Sequence, residues 1–190
     1  MKRALLAFLA LLFHAVSCWA QSTPCTEPGS TVIDTLEMEL TLPPSGQHQS
    51  VSTAWELLVE RTSSGQTNYV INASSIRFTG DATVVNSMST TQIFNLIATA
   101  TVSQGVAVGF TGCPPTCDKP SYATVVQPSC VERTGSGDST HFEPCPSPGC
   151  CIRTYSVCCP NGPGSPQIVL IGSQSSGCPS VDGQCSSTCP

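Results

Sequence analysis

Charged side chains are scarce in this 190-residue chain, where they make up 10% of the residues, and its two lysines are Lys2 and Lys119. Soluble proteins usually contain about 25% charged residues. Asp and Glu (12) outnumber Lys and Arg (7), which gives a formal net charge of −5. The sequence therefore lacks the basic surface that binds nucleic acid and the polybasic segment that binds anionic membranes, so we expect neither partner.

The sequence also lacks the common motifs of enzymatic sites. It contains no phosphate-binding loop, dinucleotide-binding fingerprint, zinc-protease motif or nucleophile elbow. The acidic repeats of calcium-binding loops are missing as well. We therefore expect no cofactor, no bound metal ion and no enzymatic activity.

Long apolar runs are missing except at residues 4–13, which follow the basic pair Lys2 and Arg3. This run is shorter than the roughly 20 residues of a membrane-spanning helix. Small residues before Gln21 complete the pattern of a secretory signal peptide. We predict that residues 1–20 are removed on export, that no transmembrane segment remains, and that the protein is secreted or lies at the cell surface.

A second route of processing is suggested by residues 15–18, which resemble a bacterial lipobox with Cys18 as the lipidated residue. A lipobox usually has Leu three residues before the cysteine, and this chain has Ala15 there. Cleavage before Gln21 and lipidation of Cys18 both leave twelve thiols free to pair. Cleavage fits the small-residue pattern better, and a lipid anchor at Cys18 is the alternative.

Cysteine is abundant, with thirteen residues in the chain. Exported chains meet an oxidising compartment, so we predict that the twelve cysteines after the signal peptide form disulfides. These are Cys25, Cys113, Cys117, Cys130, Cys145, Cys150, Cys151, Cys158, Cys159, Cys178, Cys185 and Cys189. The spacing alone does not reveal which cysteine pairs with which.

The cysteines divide the mature chain into a β-rich part, residues 21–112, and a disulfide-stapled part, residues 113–190. Cys25 is the one cysteine of the first part, so its bridge must reach the second part, and we expect the two to pack as one unit. The pairs at 113–117 and 185–189 have the spacing of a zinc knuckle. Disulfides are favoured over zinc because exported thiols oxidise.

Hydrophobic periodicity predicts a mainly β fold of antiparallel strands, with α+β as the alternative class. Apolar and polar residues alternate over 36–42 and 51–60, which predicts an antiparallel pair with one solvated face. About one helix is expected, near residues 90–103. Its start is indicated by the capping-box spacing at Ser89, and Gly105 is the expected stop.

In the second part we predict strands at 121–127, 152–157 and 167–171, of which the last two form a hairpin. Adjacent cysteines at 150–151 and 158–159 bracket the middle strand. Successive side chains of a strand face opposite sides, so each end of this strand can be tied on both faces, as suits a central strand. Neither adjacent pair should bridge to itself, because a vicinal disulfide is strained.

Residues 145–158 contain Cys-Pro followed by Gly-Cys-Cys-Ile-Arg-Thr-Tyr-Ser-Val-Cys, and they are preceded by Gly-Phe at 109–110 and Cys-Pro-Pro at 113–115. Over about residues 90–190, this arrangement resembles a group of secreted, cysteine-rich bacterial proteins without a known activity. The resemblance implies a helix before the Gly-Phe dipeptide and a bacterial origin, and it implies no activity.

Two histidines remain after signal removal. His141 lies near Asp138 and Glu143, and the three could bind a metal ion or form an acid–base pair. The Gly- and Ser-rich context of Asp138 and His141 instead favours an ordinary polar loop. We interpret His48, in a Pro-, Gly- and Gln-containing loop, as a solvated residue.

The sequence thus predicts an exported, non-enzymatic structural or binding protein that meets a protein or glycan at the cell surface. An adhesion or carbohydrate-binding module is one alternative, and it needs an exposed aromatic residue. Trp55 and Tyr155 are the candidates, although we expect both in the core. A small secreted hydrolase would need His141 in a cleft, and a protease inhibitor would need a taut, exposed loop such as 135–145.

Overall fold

The computed structural model describes residues 25, 29–42, 50–146, 149–162, 164–178 and 184–190. The predicted signal peptide, Cys18 and His48 lie outside the described residues. In chain order the elements are β1 Thr31–Leu42, β2 Val51–Arg61, β3 Thr67–Ile71, β4 Arg77–Gly80, α1 Ala82–Ser87, α2 Thr90–Ala107, β5 Ser121–Pro128, β6 Cys130–Thr134, β7 His141–Pro144, β8 Cys150–Cys158, β9 Gln167–Ser175 and β10 Cys185–Ser187.

Seven strands form the main sheet, in the order β1-β2-β3-β5-β8-β9, with β4 paired to β2. All of its pairings are antiparallel except the parallel pair β3–β5. A smaller antiparallel sheet has the order β10-β6-β7. The prediction of a mainly β, antiparallel fold with one principal helix is confirmed, and both the cysteine-poor and the cysteine-rich part contribute strands to the main sheet.

Helix α2 covers one face of the main sheet. Its start is fixed by the predicted capping box, in which the Ser89 side chain accepts from the Gln92 backbone and the Gln92 side chain accepts from the Ser89 backbone. The helix buries Phe94, Ile97 and other apolar residues against the strands. The expected stop at Gly105 is wrong, because the helix continues to Ala107.

The stop of α2 lies instead at Val108 and Gly109. Gly109 has a φ of 83°, the left-handed conformation that commonly ends a helix and that glycine adopts without a steric penalty. Gly105 is helical and buried, and it faces the sheet. Gly105 therefore allows close packing of the helix on the sheet, whereas Gly109 ends the helix.

The alternating strands β1 and β2 pair as the sequence predicts, with Met38 opposite Trp55. In β2, the alternate residues from Val51 to Val59 are buried, and the intervening residues are half-buried rather than fully solvated. Glu60 is also buried, and it accepts a hydrogen bond from Ser30 Oγ at 2.9 Å. The second face of β2 is therefore less exposed than its polar residues suggested.

Several elements were not predicted from the sequence: α1, β6, β7 and β10. These have six residues or fewer, which is too short to show a clear hydrophobic period. Tertiary contacts hold α1, since Arg133 donates to the carbonyl oxygens of Met88 and Val85 at 2.7 and 2.8 Å. Burial at this site lowers the pKa of Arg133.

Candidate functional site

Six disulfides join all twelve cysteines that follow the predicted signal peptide. The pairs are Cys25–Cys150, Cys113–Cys159, Cys117–Cys158, Cys130–Cys178, Cys145–Cys185 and Cys151–Cys189. Neither adjacent pair is bridged to itself. The Cys25 bridge reaches the cysteine-rich part, and the cysteines at 113 and 117 face those at 159 and 158 rather than 185 and 189.

Strand β8 is the most heavily tied element of the sheet. Two bridges hold its first two residues and two more hold residues 158 and 159 at its end. It lies between β5 and β9, which places it one strand from the edge rather than at the centre. The bridges therefore fix β8, and β9 is held through its pairing with β8, its one neighbour among the described strands.

A buried arginine secures the last residues described. Arg153, only 1% exposed, donates through Nη1 to the Phe94 carbonyl at 3.4 Å and through Nη2 to the Thr188 carbonyl. Gln127 Nε2 donates to the same Thr188 oxygen at 3.1 Å. Within the described ranges, Arg153 has no carboxylate partner and its Nε atom has no hydrogen bond. This cluster joins α2, β5, β8 and the C-terminal segment.

The predicted polar candidates form a surface chain around Glu143. His141 Nε2 lies 2.6 Å from Glu143 Oε1, and Ser74 Oγ donates to Glu143 Oε2 at 3.0 Å. In a hydrolase triad the imidazole stands between the hydroxyl and the carboxylate, so that it can take the hydroxyl proton. Here the carboxylate stands between them. His141 and Glu143 are also well exposed, at 43% and 56%.

Asp138 does not join this pair to make a metal site. It lies in the short turn Gly137–Ser139, before β7. Across the part of the chain that the structure describes, no three His, Cys, Asp or Glu side chains come together closely enough to hold a metal ion.

The aromatic candidates lie in the core. Trp55 is fully buried, and its Nε1 donates to Thr101 Oγ1 at 3.1 Å; Tyr155 is 3% exposed. Neither can act as an exposed stacking platform for a glycan. The proposed inhibitor loop 135–145 is packed only in part. Its turn at 135–139 is mostly exposed, whereas β7 pairs with β6 and buries Phe142 against Phe94, with their ring centroids 5.3 Å apart.

An apolar cavity of about 20 Å³ lies between α1, α2 and the β1–β2–β4 side of the sheet. Leu40, Phe78, Met88 and Ile97 line it, together with Thr53. The Thr53 Oγ1 atom is buried and has no hydrogen-bond partner among the described residues. A volume of this size holds about one water molecule and no organic ligand.

Among the described residues, the longest run of exposed large apolar side chains is on β9. We call this strand the β9 edge and define it as residues 167–175. Val169, Leu170 and Ile171 are 57%, 43% and 54% exposed. The sequence predicted a strand here but gave no reason to expect exposure, because four consecutive apolar residues are typical of a buried strand. No local signal marks this strand as exposed, because the lack of charged residues over 167–175 also fits a buried strand.

Tyr122 extends the β9 edge across the sheet. It is 56% exposed on β5, opposite Ser156 of β8, which in turn lies opposite Val169 of β9. Directly opposite residues share a face, so Tyr122 and Val169 lie on one surface. Strands β5, β8 and β9 contain a single charged residue, Arg153, and it is buried.

The opposite edge of the sheet also exposes two apolar residues, Val32 and Ile33, but it carries charged residues as well. Strand β1 carries Asp34, Glu37 and Glu39, all exposed, and Arg77 of β4 pairs with Glu37 at 2.9 Å. Charged side chains on an edge strand discourage pairing with another chain. One edge of the sheet is thus protected by charge, and the β9 edge is not.

Comparison of the chain with protein-family models, curated proteins and solved structures gives no significant match. Among the helices of the described residues, none has both the length and the apolar character needed to cross a bilayer.

Proposed function

We propose that this protein is an exported, non-enzymatic scaffold of the extracellular space or cell surface, which acts by presenting a rigid binding surface. The observation that carries this proposal is the joint placement of the disulfides and the β9 edge. Four bridges hold both ends of β8, and β8 supports an apolar strand whose other side is free among the described residues. A surface that is held rigid before binding loses little conformational entropy when a partner docks.

The number of disulfides supports an extracellular setting. Bridges of this density form and persist in oxidising compartments, and each contributes about 2–4 kcal/mol to stability. They compensate for a chain that contains few aromatic residues, 6% in all.

The rival functions have less support from the geometry. Glycan stacking on Trp55 or Tyr155 requires exposure that these residues lack. A hydrolase requires His141 between a nucleophile and an acid, and the hydroxyl of Ser74 meets Glu143 instead. Inhibition through residues 135–145 requires a free loop, and residues 141–144 of this segment are tied into the strand pair β6–β7.

The proposal is tested by the intact mass of the exported protein, before and after reduction with alkylation. We expect a chain that begins at Gln21 and takes up twelve alkyl groups only after reduction. A lipid-sized addition on Cys18 would place the same scaffold on a membrane anchor. Thiols that alkylate without reduction would contradict the disulfide-based proposal.

A further inference from the structure

We propose that the β9 edge binds the β9 edge of a second copy of this chain, so that two main sheets join into one continuous antiparallel sheet. This inference rests on the proposed function and names the partner of its binding surface. The first argument is exposure: an edge strand presents unpaired backbone N–H and C=O groups, which are a template for another strand. Folded proteins usually protect such edges with charge, proline or a covering segment.

The β9 edge lacks the first two of these protections. Residues 167–175 contain no charged residue and no proline. Eight of these nine residues are exposed and Ile168 is half-buried, so the apolar residues 169–171 are open to solvent. The one irregularity is a bulge at Ile171, since Leu170 pairs with Tyr155 and Gly172 pairs with Thr154. The stretch 167–170 before the bulge is regular.

The second argument is the distribution of charge. A symmetric dimer brings the same surface of each copy together, so every charge at the contact meets a like charge nearby. The chain has a formal net charge of −5, yet its β9 edge and the adjoining exposed face are neutral. The β1 edge carries Asp34, Glu37 and Glu39, and self-pairing there would oppose carboxylates. Of the two edges, β9 is therefore the one that a second copy can approach.

The third argument is self-complementarity of the side chains. An antiparallel pair with a twofold axis through Val169 places Val169 opposite its own copy and Ile168 opposite Leu170. These pairs respect the faces of the sheet, because Val169 lies opposite Ser156 on the outer face whereas Ile168 and Leu170 lie opposite Val157 and Tyr155 on the helix side. Every cross-strand pair at the centre of the contact is then apolar. The contact closes on itself and yields a dimer rather than a fibre.

The test is sedimentation of the oxidised, exported protein over a wide range of concentration. We expect a monomer–dimer equilibrium that moves toward the dimer as concentration rises. Val169→Lys places two lysines opposite each other at the twofold axis and removes apolar contact. The Kd of the dimer should therefore rise at least about tenfold. Val108→Lys is the matched control, because Val108, the residue that follows α2, is 58% exposed and Val169 is 57% exposed. It should leave the Kd unchanged.

A charge-pair experiment tests the register and guards against misfolding of one variant. Val169→Lys and Val169→Glu should each be monomeric alone, and a mixture of the two should form a heterodimer, since lysine then faces glutamate. Monomeric wild type at all concentrations, or a dimer that V169K leaves intact, would overturn the inference. A monomer whose β9 edge binds a different protein would also overturn the dimer inference, but it would leave the proposed function standing. Thiols that alkylate without reduction in the intact-mass experiment would contradict the proposed function itself.

Discussion

Tyr69 and Gly105 are fitted to one another across the interface between the main sheet and α2. A Cβ atom on Gly105 would lie 2.2 Å from the Tyr69 hydroxyl oxygen and 2.6 Å from Cζ. The ring cannot easily retreat, because Tyr69 is fully buried and its hydroxyl is hydrogen-bonded to Thr111 Oγ1 at 2.6 Å. The absence of a side chain at Gly105 is what allows the helix to lie this close to β3.

Gly105→Ala should therefore lower the free energy of unfolding, although alanine is the better helix former by about 1 kcal/mol. Overpacking of a filled core costs about 1–3 kcal/mol, and a Cβ atom 2.2 Å from a buried oxygen belongs at the upper end of this range, so the cost exceeds the gain. Chemical denaturation measures the difference. Ser103→Ala, two residues earlier on the same helix, is the control and should be neutral or slightly stabilising. A G105A variant that gains stability as S103A does would show that the contact is not tight.

The stability of the protein should fall at alkaline pH through Tyr69. Burial raises the pKa of Tyr69, and the hydrogen bond to Thr111 offsets part of this effect. An unfolded tyrosine ionises near pH 10, about its ordinary pKa. Above that pH the unfolded chain holds fewer protons than the folded one, so the free energy of unfolding decreases as pH rises toward the folded pKa. Below the unfolded pKa this contribution is fully present.

Tyr69→Phe should remove this part of the pH dependence while other groups continue to titrate. The measurement is chemical denaturation of wild type and variant on either side of pH 10, made quickly because thiolates promote disulfide exchange. The two proteins should differ in slope above about pH 10 and run parallel below it. Parallel curves throughout would mean that the phenol ionises equally well in the folded state.

Arg153 is expected to tolerate an apolar replacement of similar length. The Thr188 carbonyl that it binds keeps a second donor in Gln127, so Arg153→Met leaves that oxygen paired. The substitution also removes a buried charge with an unpartnered Nε atom, and such replacements are often neutral or stabilising. We expect a change within about 1 kcal/mol for Arg153→Met.

Arg153→Ala serves as the comparison, because it removes the charge and leaves a cavity as well. Truncating a buried long side chain to alanine costs about 2–5 kcal/mol, and we expect the two variants to differ by this amount. If R153M were as unstable as R153A, the hydrogen bonds rather than the packing would hold the C-terminal segment.

The Cys25–Cys150 bridge should contribute more to stability than the Cys117–Cys158 bridge. The first closes a loop with a sequence separation of 125 and the second one of 41. In the chain-entropy account, this difference is worth at least about 1 kcal/mol in favour of the longer loop, because Cys113–Cys159 already closes nearly the same loop as Cys117–Cys158. Paired Cys→Ala variants of each bridge, compared by denaturation, measure it. Equal losses would indicate that native-state contacts near Cys25 or Cys117 outweigh loop entropy.

Local structure was predictable where the sequence carries a local signal. The alternation in β1 and β2 and the capping box at Ser89 are such signals. The two strands paired, and helix α2 began, as these signals predicted. The adjacent cysteines around β8 also indicated that both ends of this strand would be tied. Each of these inferences needs only the period of a strand or helix, or the hydrogen bonds of one turn.

Long-range structure was not predictable, since it depends on contacts that no short window contains. The parallel pair β3–β5 is formed across the intervening strand and helices, and the disulfide pairing is one of about ten thousand arrangements. The role of Gly105 became visible only beside Tyr69. The apolar run of β9 indicated a buried strand, but the strand is exposed because it lies at the edge of the sheet.

Residues 185–190 come late in the chain, but the folded structure depends on them. This segment is made after all the other described strands and helices, yet it supplies β10, two disulfide partners and the carbonyl that Arg153 binds. At the other end, Cys25 emerges early and its partner lies 125 residues later. The thiol of Cys25 must therefore stay unpaired, or pair reversibly, until Cys150 has been made.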